Sequence, residues 1–297
     1  VTAVDDLSFE LAPGEAVGFV GPNGAGKSTT IKMLAGILYP TAGEARVLDL
    51  VPWEQRQRLA YQIGSVFGQR SQLWYHLPAA DSFGLLARIY ELDERLYRRR
   101  VAHLVERFAI QPYLHVPVRR LSLGERMRCE IAAALLHQPK VVFLDEPTIG
   151  LDVVAKGEIR ALVSSLNQDE GVTFLLTSHD AGDIERVCRR VVVINHGLLV
   201  FDGDVADLKR GYLRRKVVDV ILAEAGPPFD ATGVTVLLAE PYRLRLEVDP
   251  SVQPIERIIA ELVARYRVAD LTIAEPPLEE VIAAIYAAAG PAEVVAP

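Results

Sequence analysis

The chain has 297 residues, 50% of them hydrophobic and 24% charged, and carries a formal net charge of −7 at pH 7. That length holds one large or two smaller domains, each able to bury a core, and the acidic balance argues against a nucleic-acid binder, which shows a basic stripe and a high pI. Two distant cysteines, Cys129 and Cys188, and six histidines without metal-ligand spacing exclude a disulfide framework and a zinc site, and fit a reducing cytosol.

The sequence begins at Val1, without methionine and as if within a strand, so a missing native N-terminus is expected. No signal peptide opens it and no apolar run reaches the ~20 residues that span a bilayer, so a soluble protein is expected. The first clear element is "EAVGFV", a short buried strand ending at Val20. Further on, "STTIKMLAGIL" places Ile31, Leu34, Ala35 and Leu38 at helical spacing, with Pro40 as the stop. Between the two lies "GPNGAGKST", made of Gly21, Pro22, Asn23, Gly24, Ala25, Gly26, Lys27, Ser28 and Thr29. A strand, a Gly-rich turn and a helix, with G-x-x-x-x-G-K-[ST] met by Gly21, Gly26, Lys27 and Ser28, make a phosphate-binding loop. Its bare backbone N–H groups would surround an anion, and the helix N-terminus adds its dipole. Lys27 would reach the β- and γ-phosphates, and the Ser28 hydroxyl would ligate Mg2+. The Asn-Lys-x-Asp stretch that reads guanine is absent, so ATP is the expected nucleotide.

Next comes the strand "IGSVFGQ", closed by Gln69, and then a segment to about Gln138 that reads as mostly helical. It opens on "SQLWYHLP", whose Trp74 and Tyr75, with Leu73 and Leu77, suit either a groove for a partner helix or the local core. The basic runs Arg98–Arg100 and Arg214–Lys216 read as solvated surface; Arg119 and Arg120 abut the next motif. In "LSLGERMRCEIAAALLHQP", Ser122-x-x-Glu125 is a capping box, and Met127, Ile131, Ala134 and Leu135 form an apolar stripe ending before Pro139. The Gly at this helix mouth makes a second anion-binding N-terminus. "KVVFLDEP" is a strand that delivers Asp145 and Glu146 at its C-terminal end, where open parallel sheets bind ligands. Successive strand residues face opposite ways, so the two acids should differ in role. Asp145 suits a metal shell; Glu146 suits orienting and polarising a water.

From about Gly211 the character changes. "RKVVDVIL", "VTVLLAE" and "YRLRLEV" read as strands, the last with Tyr242, Leu244, Leu246 and Val248 alternating against Arg243, Arg245 and Glu247. "PIERIIAELVARYR" reads as a helix with Ile255, Ile258, Ile259, Leu262, Val263 and Tyr266 on one face. The strand "DLTIAE" and a helix from about Leu278 complete a small α+β unit.

"LSLGE" resembles the LSGGQ signature of ABC ATPases and sits ahead of "FLDEP", as that family has it. By the same resemblance Gln69 matches the Q-loop glutamine, "IGLD" from Ile149 to Asp152 the D-loop, and His179 in "LLTSHD" the switch histidine. The resemblance covers roughly residues 1–210. It implies two cassettes facing head to tail, with Ser122, Gly124 and Glu125 of one chain binding the γ-phosphate held at Lys27 of the other. It also implies Glu146, His179 and Gln69 as the catalytic set, and Ser28, Asp145 and Gln69 around Mg2+. Leu123 and Glu125 stand where the family has Gly and Gln, while Ser122 and Gly124, which carry its phosphate contacts, are intact. The aromatic residue that stacks on adenine in this family would lie N-terminal of Val1.

The expectation is therefore an α/β P-loop ATPase of the ABC type over 1–210, with a helical subdomain at about 70–138. An α+β accessory domain at 211–290 and a tail at 291–297 follow, similar to the C-terminal extension of drug- and antibiotic-export ATPases. The implied function is ATP hydrolysis that powers export, by a dimer held at the cytoplasmic face of the membrane on separate permease subunits. An importer ATPase and a non-transport ATPase acting on ribosomes or DNA are the alternatives; neither the inserted coiled coils nor the doubled cassettes of the latter are present.

Overall fold

The computed structural model describes residues 2–68, 70–212, 216–250, 252–274 and 278–288, which fall into two units, one reaching to Gly203 and one spanning Asp204–Ala288. In the first unit β1 (Ala16–Val20) leads through the Gly-rich loop into α1 (Lys27–Leu34), followed by α2 (Arg56–Ala60) and β2 (Ile63–Phe67). Helices α3 (Ala79–Ile89) and α4 (Glu94–Arg107) then precede 3-10 turns at Gln111–Tyr113 and Val118–Arg120 and the helix α5 (Leu123–Ala134). The chain returns to the sheet in β3 (Val141–Asp145), crosses by α6 (Val153–Glu170) to β4 (Thr173–Thr177), and by α7 (Ala181–Val187) to β5 (Arg190–Asn195) and β6 (Leu198–Asp204).

Among the described residues this unit holds a sheet of order β2-β3-β4-β1-β5-β6, parallel from β2 through β5. The runs AVGFV and TFLLT are buried at every position, as strands covered on both faces must be. Phe19, Ile31, Leu59, Leu175, Val192 and Ile194 are fully buried in the core on one side of the sheet. Register brings the strand ends level: Phe67 pairs with Asp145, Asp145 with Thr177, and Thr177 with Phe19. The loops that leave β1, β2, β3 and β4 therefore emerge side by side at one edge of the sheet.

The first helix is shorter than the apolar spacing suggests. It stops at Leu34 because Gly36 takes φ 70, with Gly36 N–H donating to Met33 O and Ile37 N–H to Lys32 O. This pair of bonds satisfies the last carbonyls in a Schellman cap and leaves Leu38 40% exposed. In the helical segment, Leu73 is buried whereas Trp74, Tyr75 and Leu77 are exposed, so the aromatic stretch presents a surface and does not fill the subdomain core. The basic run is not uniformly solvated: Arg98 is exposed, but Arg100 is buried, donating to Leu135 O at 3.1 Å and lying 3.7 Å from Glu170.

The second unit contains α8 (Val205–Tyr212), β7 (Lys216–Leu222), β8 (Val234–Glu240), β9 (Arg243–Val248), α9 (Ile255–Arg265), β10 (Val268–Ala274) and α10 (Leu278–Ala288). Its sheet has the order β10-β7-β9-β8, antiparallel throughout. Leu244, Leu246 and Val248 point into a core with Ile258, Leu262 and Tyr266, as their periods require. Two side chains depart from the pattern. Tyr242 is 60% exposed because it lies in the turn that joins β8 to β9, and Val263 is 58% exposed because the buried seam of α9 is narrower than its apolar face. Arg214 and Arg215 of the second basic run, and the tail at 291–297, lie outside the described residues.

Candidate functional site

The Gly-rich loop joins the buried end of β1 to the first turn of α1. Gly26 holds φ 103, a left-handed conformation that an L side chain adopts only with strain, and a Cβ there would lie 2.5 Å from Ala3 O. The first N–H groups of α1 have no intrahelical acceptor, as at any helix start. Lys27 is 5% exposed, and its ammonium donates to Gly21 O at 2.6 Å and Pro22 O at 3.1 Å. Burial pushes its pKa below the ordinary value, against the opposing pull of the Glu146 and Asp145 carboxylates. Loop, ammonium and acids thus share one small volume.

Asp145 ends β3. Its Oδ1 accepts from Ser28 Oγ at 3.2 Å and from Thr177 Oγ1 at 2.7 Å. Ser28 and Asp145 together offer hard oxygen donors, the set Mg2+ takes from a protein when substrate phosphates and water complete its octahedron. The residues fit that ion. Among the described residues no cluster of three or more His, Cys, Asp or Glu is placed to hold a metal ion.

Glu146 is separated from Asp145 by more than strand alternation. Its φ is 55, so the chain leaves the strand there in a left-handed bend, held by donation from Glu146 N–H to Thr177 O and Thr177 Oγ1. The bend sends the Glu146 carboxylate to His179, with Oε1 2.5 Å from Nε2. Gly68, the last described residue before Gln69, runs against the same backbone: its N–H donates to Asp145 O at 2.8 Å, and a Cβ would lie 2.3 Å from Glu146 O. Gln69 itself lies outside the described residues.

Ser122, Gly124 and Glu125 lie at the start of α5. Both halves of the capping box form: Glu125 N–H donates to Ser122 Oγ at 3.3 Å, and Ser122 N–H to Glu125 Oε2 at 2.8 Å. Gly124 lies against α6, where a Cβ would come 3.0 Å from Ala155 Cβ, and Asp152 caps α6 by accepting from Val154 and Ala155 N–H. The structure therefore gathers Lys27, Ser28, Asp145, Glu146 and His179 in one place.

Sequence reasoning missed Thr177, which ties Asp145 to the Glu146 bend. Its only signal is a hydroxyl closing the apolar run TFLLT, fully buried.

A family model described as ABC transporter matches residues 4–149. The ABC transporter ATP-binding protein NatA of Bacillus subtilis is 32% identical over 208 residues, 70% of this chain and 84% of that protein. The daunorubicin resistance ATP-binding protein DrrA3 of Streptomyces coeruleorubidus is 33% identical over 290 residues, 94% of this chain and 89% of its own length. Among solved structures, the ATP-binding cassette MJ0796, a dimer in a post-hydrolysis state bound to ADP and Pi, superposes with a TM-score of 0.62 at 25% identity, covering 68% of this chain and 90% of that one.

Proposed function

Because this chain belongs to the ABC transporter family, as an ATP-binding and ATP-hydrolysing subunit, we propose that it drives export as one of two cassettes that close on ATP against separate permease subunits. The single observation that carries the hydrolytic half is the 2.5 Å contact of Glu146 with His179, one residue from the Asp145 carboxylate that Ser28 meets.

In this reading the loop Gly21–Thr29 wraps the phosphates with its N–H groups, and Lys27 exchanges its carbonyl partners for β- and γ-phosphate oxygens. Ser28 and Asp145, with Gln69, would hold Mg2+, and the ion would supply charge neutralisation to the phosphates, which otherwise oppose attack. Glu146 orients the attacking water and takes up its proton. His179, whose Nε2 meets that carboxylate, keeps it from swinging away. The second chain supplies the α5 N-terminus: Ser122 and the Gly124 backbone meet the γ-phosphate, and Glu125 fixes the helix start. A site completed only by two chains makes ATP a ligand of the closed dimer, and its hydrolysis reopens the dimer.

Support for export comes from the near full-length likeness to a protein named for daunorubicin resistance. No described helix is long and apolar enough to cross a membrane. The exposed Trp74, Tyr75 and Leu77 offer an apolar surface for a permease helix on the cytoplasmic side. The test is Glu146→Gln in everted vesicles carrying the permease subunits. ATP hydrolysis should fall about 10²–10⁴-fold with ATP still bound, and ATP-driven accumulation of cargo inside the vesicles should cease. Hydrolysis at the native rate would sink the assignment of Glu146, and accumulation only in right-side-out vesicles would sink export.

A further inference from the structure

Asp183 has no part in the roles assigned above, yet it is 1% exposed and lies where three segments of the first unit meet. Its Oδ2 accepts hydrogen bonds from Thr148 Oγ1 and Ser178 Oγ, and its Oδ1 accepts from Arg160 Nε at 2.5 Å. Thr148 is the second residue after Glu146, and Ser178 immediately precedes His179. Both are 4% exposed. One carboxylate thus grips the two loops whose neighbouring residues form the Glu146–His179 contact of 2.5 Å. The grip is anchored to α6, since Arg160 also lies 3.0 Å from Asp180 Oδ2, a carboxylate shared with Lys156 at 2.7 Å.

Burying an ionised carboxylate forfeits its hydration, and a chain gains nothing by doing so where apolar packing would serve. What a carboxylate adds is direction: two hydroxyls and a guanidinium can satisfy it in few arrangements, so each loop is held at a set angle as well as a set distance. The Glu146 bend needs such a hold. A non-glycine residue at φ 55 persists only where its surroundings determine it, and the Thr177 contacts fix its amide while the Thr148–Asp183 bond fixes the chain beyond it.

We propose that Asp183 is a positioning residue for ATP hydrolysis, holding Thr148 and Ser178 so that Glu146 and His179 stay in hydrogen-bond contact. The inference rests on the reading of Glu146 and His179 given under Proposed function. Removing Asp183 would strand Arg160 and could unfold the chain, so the decisive variant leaves that ion pair alone: Thr148→Val with Ser178→Ala in the full chain. Its ATP affinity by calorimetry and its KM should change less than about twofold, because no residue of the phosphate loop is touched, while kcat should fall roughly 10- to 100-fold, the scale of a small misplacement of reacting groups. Thr148→Ser, which keeps the hydroxyl, should retain turnover. Placed on Glu146→Gln, the double change should lower the residual rate no further.

Native kcat in Thr148→Val with Ser178→Ala, or an equal loss when that double change is added to Glu146→Gln, overturns the positioning role while leaving the site reading intact. Full turnover in Glu146→Gln alone overturns the site reading and this inference with it. A parallel fall in ATP affinity and kcat also overturns it, because it would mark a general loss of the fold.

Discussion

Lys27 is the one cation buried in the phosphate loop, and its two hydrogen bonds go to carbonyls of that same loop. Those carbonyls are weak competitors for an ammonium that a polyphosphate can claim, and burial, which lowers the Lys27 pKa, raises the gain from pairing with an anion. Lys27→Ala should therefore weaken ATP binding by about 10- to 100-fold, the range of hydrogen bonds to charged groups. Calorimetry showing unchanged affinity would remove the loop from the site. At this scale the contiguous parts of the site are legible. The phosphate loop, Asp145 and Glu146 each sit in a run whose spacing states its chemistry. Asp183, Thr148 and Ser178 were not legible, because hydroxyls and a carboxylate spread over 36 positions are joined only by the fold. Nor was the left-handed turn at Glu146, since the Thr177 contacts that hold it come from another strand.

Among the elements, the turn that follows α5 carries a titratable group that the site does not use. His137 stacks on Tyr90 with ring centroids 3.8 Å apart, and its Nε2 meets Ile63 O at 2.9 Å, which assigns the proton to Nε2. Nδ1 is buried without a partner. Burial, opposed by the Ile63 carbonyl and reinforced by the Arg100 charge, lowers the His137 pKa from 6.5 to about 4. Between those values the unfolded chain binds a proton that the folded chain refuses. Stability is full above the upper value and falls as pH drops toward the lower, by up to about 3 kcal/mol. Urea unfolding at pH 7.5 and pH 4.5 should show that loss, and His137→Gln, which can still donate to Ile63, should lose less by about that amount. Equal losses in both chains would contradict the assignment. Strands β1, β2, β3 and β7 to β10 and the amphipathic helices α5 and α9 were readable from their apolar patterns. Helix ends were not always so: α1 stops at a left-handed Gly36 while its apolar spacing runs on to Leu38. Burial within a charged run was also hidden, because Arg100 turns inward to a carbonyl of α5 that no local pattern announces.

For the whole molecule, the nucleotide motifs all precede Gly203, and each unit has a core of its own. Taking 1–210 as the ATPase domain and 211–290 as an accessory domain, chains ending at residue 203 and at residue 210 should both fold and bind ATP with near-native affinity. Failure of both to fold would mean that the second unit is part of the first one's folding. The membership of α8 was not legible, since its packing against α10 is made across some 70 residues. The central claim is that ATP is held between two such chains and that Glu146 hydrolysis releases them. It is tested most directly by size exclusion of Glu146→Gln in Mg·ATP. The amide keeps the shape of the side chain but cannot take the proton, so nothing resets the closed state. The account predicts a shift from monomer to dimer that needs ATP and that Ser122→Arg, which blocks the facing γ-phosphate site, abolishes. A dimer that forms equally without ATP, or that survives Ser122→Arg, would contradict it.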